Sequence, residues 1–330
     1  MIEYSVIIRT IGKAGEKYQS LLNSIASLDP KPREVIVVLP EGYDEPEEKL
    51  GWETFYYSPK GMVAQRMYGV SKCKTPYALI CDDDVSFDSD FVKKLHEPIE
   101  KGLASLSAGP LYSFLPQKGI RSIICTINGS AAPTVFHKNR YVSVLKTSGY
   151  SYNRHLDTSK RKFYESQSLA WTCFYADISA LKSIALEEEK WLDENGYAAY
   201  DDQTMFYKAF LRGIRTVVVS DAYYIHQDAK TSTKDNKPNV TKCLIINRII
   251  FWHRFIYSME RSLCGRVWAR LCFAYRMGWL RFWALIDYIK GNYKKEDVSF
   301  VFQSCRDGWK YLKSEEYLSL PAVEKEFTKK

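Results

Sequence analysis

Apolar runs alternate with amphipathic segments along the first hundred residues. Three runs rich in β-branched residues predict buried strands, at 4–10, 34–40 and 77–81. Three segments with apolar residues at helical spacing predict helices, at 16–28, 62–73 and 89–99. Strands that alternate with helices of this length form parallel βαβ units. The pattern therefore predicts an α/β fold with a mostly parallel sheet and flanking helices.

The pattern changes near residue 235, after the polar stretch KTSTKDNKPN. Residues 242–295 hold 11 basic and 2 acidic side chains, whereas residues 1–241 are balanced at 30 of each. The basic segment is also aromatic and has long runs that fit helices. We therefore expect an α/β domain over 1–235 and a helical region over 236–330.

The basic segment contains four of the eight tryptophans, at Trp252, Trp268, Trp279 and Trp283. No part of it offers the roughly 20 uncharged residues that a membrane-spanning helix needs. Basic amphipathic helices that lie on an anionic membrane surface fit this composition. The alternative is that the helices pack on the α/β domain with their arginines facing outward.

Composition narrows the class of protein further. The chain has 330 residues and is 46% hydrophobic, which indicates a folded protein with a large core. Its eight cysteines form no CxxC pair and predict reduced, buried thiols in a cytosolic protein. The first residues show no signal-peptide pattern, so we expect a cytoplasmic protein, peripheral on the inner face of the cell membrane. The basic segment contains no recognised nucleic-acid-binding module, and we expect no nucleic-acid partner.

Three consecutive carboxylates, Asp82, Asp83 and Asp84, follow the third predicted strand. Like charges at this spacing repel one another, and a nearby cation would relieve this repulsion. In open α/β sheets ligands bind beyond the carboxyl ends of the strands, and carboxylates there suit Mg²⁺ or Mn²⁺ held together with phosphates. If the extended conformation continues, Asp82 and Asp84 share one face and Asp83 turns away. The alternative is an acidic turn that caps the next helix.

Around this triplet, the sequence GMVAQRMYGVSKCKTPYALICDDDV resembles the central motif of family 2 glycosyltransferases, which have the GT-A fold. The matching positions are Gly61, Ala64, Arg66, Gly69, Tyr77, Asp82 and Asp84. Further on, YDDQTMFYKAFLRGIRTVVVSDAYYIHQ (200–227) is similar to the acidic pair, helix, strand and terminal histidine of that family. The resemblance covers about residues 4–228 and rests on the order of its motifs.

The resemblance implies a metal-dependent enzyme that moves a sugar, with inversion, from a nucleotide sugar to a glycan or lipid-linked glycan. A UDP- or dTDP-sugar is the expected donor, and Mn²⁺ or Mg²⁺ the expected cofactor. Asp202 takes the position of the catalytic base, beside Asp201. The expected metal contacts are Asp84 and His226. The expected nucleotide-sugar contacts are Thr10, Glu41, Arg66, Asp82 and Asp83.

Several of these residues also have a structural interpretation. Arg66 offers a donor fork for phosphate, but it could equally form a salt bridge with an aspartate of the triplet. Asp201 and Asp202 stand where a helix begins, and acidic residues are favoured there in any protein. His226 could be an ordinary strand-end histidine. Trp171 is a candidate platform for stacking an acceptor sugar, or a buried core residue.

The chain departs from the family pattern at a few positions. Pro40 and Glu41 follow the second strand, where the family often has an aspartate that holds the base of the nucleotide. Met67 replaces the usual asparagine after Arg66, and the opening loop reads RTIGK. These positions affect donor recognition more than the chemistry.

Two other functions are compatible with parts of the sequence. LICDDDVS approximates the strand motif of haloacid-dehalogenase-like phosphatases, in which Asp82 would be the nucleophile and Asp84 the acid. That class usually carries its motif on the first strand, whereas two strands precede it here. The second alternative is a catalytically inactive protein of GT-A fold that binds a membrane surface.

Overall fold

The computed structural model describes residues 2–111, 119–133, 139–153, 156–228 and 237–324. The boundary expected at residue 235 lies outside the described residues. Along the first hundred residues the predicted strands and helices are confirmed to within about two residues at each end. In chain order these elements are β1 (Tyr4–Arg9), α1 (Glu16–Ser27), β2 (Glu34–Pro40), β3 (Thr54–Ser58), α2 (Met62–Lys72), β4 (Tyr77–Asp82), β5 (Val85–Phe87) and α3 (Phe91–Glu100).

Strand β3 was not predicted because it lacks a buried apolar run. It pairs only with β2 at the edge of the sheet, and most of its side chains are partly or fully exposed. The remaining elements before residue 229 are short. They are β6 (Leu106–Ala108), α4 (Ile120–Ile127), β7 (Val142–Val144), β8 (Tyr150–Tyr152), β9 (Phe163–Glu165), β10 (Cys173–Asp177), α5 (Ile178–Ser183), a 3-10 turn (Leu186–Glu188), α6 (Trp191–Glu194), α7 (Asp201–Leu211), β11 (Thr216–Val219) and β12 (Tyr224–His226).

Eight strands form the main sheet in the order β3-β2-β1-β4-β10-β6-β11-β9. Strands β3, β2, β1 and β4 run parallel to one another, whereas β10 is antiparallel to both of its neighbours, β4 and β6. Strands β5 and β12 pair in a separate two-stranded ribbon. The carboxyl ends of β2, β1 and β4 therefore meet at one edge of the sheet.

Hydrophobic cores cover both faces of the sheet. Alternate residues of β1 point to opposite sides, so that Val6 and Ile8 join one core while Ile7 joins the other. Helices α1 and α3 cover the first face, and α2, α7 and the C-terminal helices cover the second. All eight cysteines are free, but only four are buried, and Cys264 is exposed, so the expectation of buried thiols holds only in part.

Gly69 allows α2 to pack directly on the sheet. A Cβ at this position would lie 2.6 Å from Ile7 Cγ2 and 3.1 Å from Val38 Cγ2. Since real Cβ atoms do not approach so closely, only glycine fits without moving the helix. The motif glycine thus sets the distance between the helix that carries Arg66 and the strands beneath it.

The C-terminal region is helical, as predicted. Its elements are α8 (Lys237–Phe251), a π-helical segment (Trp252–Tyr257), α9 (Leu263–Ile289), α10 (Lys295–Tyr311) and α11 (Glu315–Leu318). These helices join the same core as α2 and α7. Trp252 is buried and stacks on Phe273 with 4.3 Å between ring centroids. Trp252 is therefore a core residue that holds the helices together, as in the alternative in which this segment packs on the α/β domain.

A buried ion network connects the C-terminal helices to the sheet domain. Glu189, which is fully buried, accepts hydrogen bonds from Arg254 at 2.5 and 2.9 Å. Lys208 of α7 lies 3.0 Å from the same carboxylate. The two cations balance the buried negative charge, since a lone charge would be costly there.

Helix α9 has a second apolar face that points away from the core. Its inner face is buried, and large apolar side chains recur at helical spacing along the opposite side. This outer stripe consists of Val267, Trp268, Leu271, Tyr275, Phe282, Leu285 and Ile289, each at least 44% exposed. Over the residues that the structure describes, no helix is long and apolar enough to span a membrane.

Helix α4 extends this surface. Its exposed side has four isoleucines at helical spacing, Ile120, Ile123, Ile124 and Ile127. The Tyr275 hydroxyl of the outer stripe donates a hydrogen bond to the Ile127 carbonyl. We call the outer stripe together with these isoleucines the apolar surface.

Candidate active site

The three consecutive aspartates lie at the carboxyl end of β4 and take three different directions. Asp82 is the last residue of the strand, Asp83 and Asp84 form a turn, and Val85 begins β5. The extended conformation stops at Asp82, so the alternation expected for a continuing strand does not apply. Each carboxylate has its own partner, and the repulsion within the triplet is relieved separately at each position.

Asp82 is paired with two arginines. Its Oδ1 accepts from Arg66 Nη2 at 2.7 Å and from Arg9 Nε at 3.2 Å. Arg66 is only 2% exposed, and its guanidinium lies over the Trp171 ring at 4.5 Å. The salt bridge weighed for Arg66 is thus present in the structure. Contact between Arg66 and a donor phosphate remains a prediction.

Arg66 also reaches the acidic pair at the start of α7. Its Nη1 donates to Asp201 Oδ2 at 2.9 Å, while Nη2 holds Asp82. One buried guanidinium therefore joins the strand-end triplet to the acidic pair, although 135 residues separate Arg66 from Asp201. The two motifs of the resemblance form one site.

Asp83 turns toward β1. Its Oδ2 accepts a hydrogen bond from the Thr10 hydroxyl at 2.6 Å, and the same Thr10 oxygen accepts from the Gly12 N–H. Burial raises the pKa of Asp83 to about 6, while Arg9 and the Thr10 hydrogen bond oppose the shift. Thr10 and Asp83 thus lie together at the sheet edge, as expected for neighbouring parallel strands.

Asp84 lies against His226. Its Oδ1 is 3.3 Å from His226 Nε2, and the pairing of His226 with Val85 in the β5–β12 ribbon fixes this distance. Burial alone would lower the pKa of His226, but the hydrogen bond and charge of Asp84 outweigh it and raise that pKa. The predicted metal contacts therefore lie side by side. Within the described ranges, no three His, Cys, Asp or Glu side chains are grouped as a metal site.

Asp201 and Asp202 begin α7 after a residue with an unusual backbone. Tyr200 has φ of 74°, a left-handed conformation that is uncommon for a tyrosine. Burial raises the pKa of Asp201, although Arg66 opposes the shift. Burial and the neighbouring charge of Asp201 raise the pKa of Asp202 well above its ordinary value. The two carboxylates differ because Asp201 has the arginine partner.

Two predicted contacts lie further from this cluster. Glu41 is exposed in the turn after β2, at the same sheet edge as Thr10. Trp171 is 3% exposed, and Arg66 covers its ring, so it is a core residue. The stacking role considered for Trp171 is not supported by this position.

Sequence reasoning missed three residues that build the site. Arg9 pairs with Asp82, and Gln65 Nε2 donates to the carbonyls of Thr10 and Val38 at 3.0 Å each. Asp193 accepts from the backbone N–H of Val63 and Ala64, which begin α2. Gln65 and Arg9 are adjacent in sequence to motif positions, and this adjacency is a signal from which they could have been predicted as site residues.

Gly61 makes room for the Asp193 contact. A Cβ on Gly61 would lie 2.5 Å from Asp193 Oδ2. Asp193 is more than a hundred residues away in sequence, and nothing in its surroundings signals this contact.

Comparison with known proteins agrees with the resemblance. Residues 5–124 match the family model Glycosyl transferase family 2. No curated protein matches the chain. The solved structure of GalNAc-T7 with UDP, GalNAc and Mn²⁺ is similar over 84% of this chain, with 12% sequence identity and a TM-score of 0.52. The chain spans 56% of that protein.

Two solved structures of S. aureus TarS are also similar. The structure of TarS residues 1–349 has 15% identity and a TM-score of 0.42, and covers 94% of this chain and 92% of that one. A longer TarS structure has 14% identity and a TM-score of 0.45, and covers 93% of this chain and 54% of that one. The family match and the likeness to GalNAc-T7 agree: residues 5–124 match the family 2 glycosyltransferase model, and the chain has the GT-A fold.

Proposed function

We propose that this protein is an inverting glycosyltransferase that moves a sugar from a nucleotide-sugar donor to a glycan or lipid-linked glycan. The observation that carries the proposal is the Arg66 bridge, which places the strand-end triplet beside the acidic pair. A transferase needs a donor site and a base within reach of the same anomeric carbon. One buried arginine that joins the two motifs supplies this arrangement.

The donor end of the proposed site is the edge formed by β2, β1 and β4. Thr10, Asp82 and Asp83 lie there in contact with one another or with Arg9, and Glu41 lies at the same edge. We assign these residues to the nucleotide and sugar of a UDP- or dTDP-sugar. Arg66 would act by positioning Asp82 and Asp201, because its own nitrogens already hold both carboxylates.

Asp84 and His226 fit a divalent metal. The Asp84 carboxylate oxygen and the His226 imidazole nitrogen, 3.3 Å apart, would be suitable ligands for Mn²⁺ or Mg²⁺. Such an ion, when bound, neutralises the charge that develops on the diphosphate leaving group. The solved structure of GalNAc-T7 contains UDP and Mn²⁺, which is consistent with this assignment.

Asp202 is the proposed base. The acceptor hydroxyl oxygen attacks the anomeric carbon as the bond to the diphosphate breaks, and its proton passes to the Asp202 carboxylate. The raised pKa makes Asp202 a better proton acceptor than an ordinary aspartate. Since attack and departure occur on opposite sides of the carbon, the product has inverted configuration and no covalent sugar–enzyme intermediate forms.

We also propose that the protein acts at the cytoplasmic surface of an anionic membrane. The apolar surface of α4 and α9 supports this, because a large exposed apolar patch usually marks an interaction site. Of the four arginines of α9, Arg266 and Arg270 are exposed, and their positive charges complement anionic lipid. At about 1.5 Å per residue its 27 residues extend about 40 Å, long enough for broad contact in the plane of the membrane.

The phosphatase alternative has less support. In that mechanism Asp82 attacks phosphorus, and its motif usually lies on the first strand. Here Asp82 ends β4, and its Oδ1 is paired with both Arg66 and Arg9, whose positive charges make the carboxylate a weaker nucleophile. The inactive binding protein retains the same site, and an activity assay separates it from an enzyme.

The experiment that tests the proposal is a screen of nucleotide sugars. The purified chain is incubated with each sugar and Mn²⁺ or Mg²⁺, and thermal stabilisation and release of nucleoside diphosphate are measured. We expect at least one donor to stabilise the protein and to be hydrolysed slowly only with metal. Release of phosphate from simple phosphate esters without any donor hydrolysis would contradict the proposal.

A further inference from the structure

Two arginines line a cavity between the C-terminal helices and the sheet domain. The cavity has a volume of about 250 Å³ and contacts α4, β8, α8 and α9. Arg248 of α8 and Arg276 of α9 form its basic side, and Tyr150, Tyr152 and Tyr200 form its aromatic side. A neighbouring cavity of about 300 Å³ shares both arginines.

Neither arginine has a carboxylate partner among the described residues. Arg248 Nε donates to the Tyr200 hydroxyl at 2.6 Å, and no ion pair within 4.0 Å involves Arg248 or Arg276. Asp287 lines the neighbouring cavity, but its Oδ1 accepts from the Asn292 side chain. Other arginines of the interior, such as Arg66 and Arg254, are each held by carboxylates.

The two guanidinium groups also act on each other. Burial, together with the positive charge of Arg248, lowers the pKa of Arg276 to about 10. Two like charges in a partly enclosed cavity are unfavourable unless an anion joins them. Guanidinium groups bind phosphate through paired, charge-assisted hydrogen bonds. The cavity therefore has the chemistry of a phosphate site.

Contacts place this cavity next to the proposed base. Tyr200, whose hydroxyl accepts a hydrogen bond from Arg248, directly precedes the acidic pair. The charges of Asp202 and Arg248 both act on Tyr150, whose pKa is raised mainly by burial. Arg66 holds the other side of the acidic pair and connects it to the triplet. The acidic pair thus stands between the donor residues and the arginine cavity.

The cavity also adjoins the apolar surface. Arg276 follows Tyr275 of the outer stripe, and Tyr275 is bonded to Ile127 at the end of α4. Cys125 of α4 lines the cavity itself. A molecule with a phosphate in the cavity could lay an attached lipid chain along exposed isoleucines.

We propose that Arg248 and Arg276 bind a phosphate or pyrophosphate group of the acceptor and hold its sugar beside Asp202. This rests on the proposed function for the identity of the ligand as an acceptor, but not for the binding of phosphate. The phosphate could belong to a lipid-linked glycan or to a water-soluble glycan phosphate. Both present the same group to the arginines.

Binding is measured in the presence of EDTA, which removes any metal-dependent donor site. The probes are inorganic phosphate, a sugar 1-phosphate in solution, and a polyprenyl phosphate in neutral phosphatidylcholine vesicles, with the same vesicles lacking it as blank. The variants are Arg248→Gln and Arg276→Gln. The matched control is Arg306→Gln, an exposed arginine of α10 outside both cavities. Thermal unfolding verifies that each variant is folded.

We expect the unaltered protein and Arg306→Gln to bind the phosphate probes equally, and each cavity variant to bind at least about tenfold more weakly, the scale of one charge-assisted hydrogen bond. Stronger binding of the vesicle probe than of the sugar 1-phosphate would indicate a lipid-linked acceptor. Equal binding of the two probes would indicate a water-soluble glycan phosphate. Equal affinity of the cavity variants and the unaltered protein, or no phosphate binding in any arm, would overturn the proposal. Phosphate binding without donor hydrolysis would instead contradict the proposed function and leave the site standing.

Discussion

Arg66 and Asp201 form an ion pair of 2.9 Å inside the protein, and Asp202, the next residue, does not share this contact. Two adjacent carboxylates at the start of one helix therefore have different surroundings. Asp201 is tied to the arginine that also holds Asp82. Asp202 keeps a raised pKa and is the better candidate for taking a proton.

Replacing Asp202 with asparagine should separate chemistry from binding. Asp202→Asn removes the proton acceptor but changes the side-chain volume little, so we expect unchanged donor affinity and sugar transfer at least ~10² slower, the usual contribution of a general base. Donor affinity is measured by calorimetry and transfer by product formation. A variant with near-normal transfer would move the role of base to another residue.

Asp201→Asn serves as the contrast. It leaves Arg66 buried with one carboxylate fewer, so we expect a loss of about 3 kcal/mol in the free energy of unfolding, the scale for breaking a buried ion pair. Urea unfolding measures this loss. Equal stability of the two variants would mean that the Arg66 bridge contributes little to the fold.

Metal-dependent donor binding should depend on Asp84. We expect Asp84→Ala to abolish the binding of the nucleotide sugar that requires Mn²⁺ or Mg²⁺, while the protein stays folded. The control is Asp90→Ala, which removes a carboxylate paired with Lys94 at the surface. Calorimetric titration with and without metal gives the result. Unchanged metal-dependent affinity in a folded Asp84→Ala protein would show that the metal lies elsewhere.

The pH dependence of transfer should follow from the raised pKa of Asp202. The carboxylate accepts a proton only when it is ionised, so activity is lost as the pH falls through the pKa of the folded protein. Because burial and Asp201 raise that pKa, the loss should begin well above the ordinary aspartate value of about 3.9. The measurement is kcat/KM against pH, with donor affinity determined at each pH. An acid limb at or below about pH 4 would be inconsistent with Asp202 as the base.

The tight packing of α2 on the sheet should be tested by a variant of Gly69, with a glycine of α9 as the contrast. In Gly69→Ala the new Cβ meets Ile7 and Val38, and we expect a loss of about 1–3 kcal/mol in the free energy of unfolding. Gly278 lies within α9 with no atom near its Cβ position, so Gly278→Ala should instead stabilise by about 0.5–1 kcal/mol. Denaturant unfolding gives both values. A neutral Gly69→Ala would show that α2 can move away from the sheet at no cost.

Binding to anionic liposomes should depend on the apolar surface. We expect the protein to sediment with them, less strongly at high salt because screening weakens the contribution of the arginines. Residual binding at high salt should be lost in Leu271→Asp and Phe282→Asp, which place charge in the outer stripe. Leu318→Asp is the control, since Leu318 is equally apolar and exposed but lies on α11. If the intact protein stays in the supernatant with these liposomes, a second protein is the better partner for this surface.

Local sequence patterns predicted the first half of the sheet well because its strands are continuous apolar runs. Strand β3 was not predicted because its side chains are partly exposed. The antiparallel direction of β10 could not be predicted because no local sequence pattern indicates it. The candidate residues were found through motif order. Their partners depend on contacts between distant segments, as with Arg66 and Asp201, and the burial of Trp171 and Trp252 depends on which side chains cover them.

Lys208 and Arg254 share the carboxylate of Glu189, so the sheet domain and the C-terminal helices cannot be separated without breaking this ion network. A fragment that ends at residue 235 would retain Lys208 but lose Arg254, and it would expose the apolar side of the sheet that the C-terminal helices now cover. A chimera that exchanges the helical region for that of another protein would face the same difficulty unless it brought its own cation to this position. Because Lys208 belongs to the helix that begins with the acidic pair, such exchanges would disturb the proposed base as well as the fold.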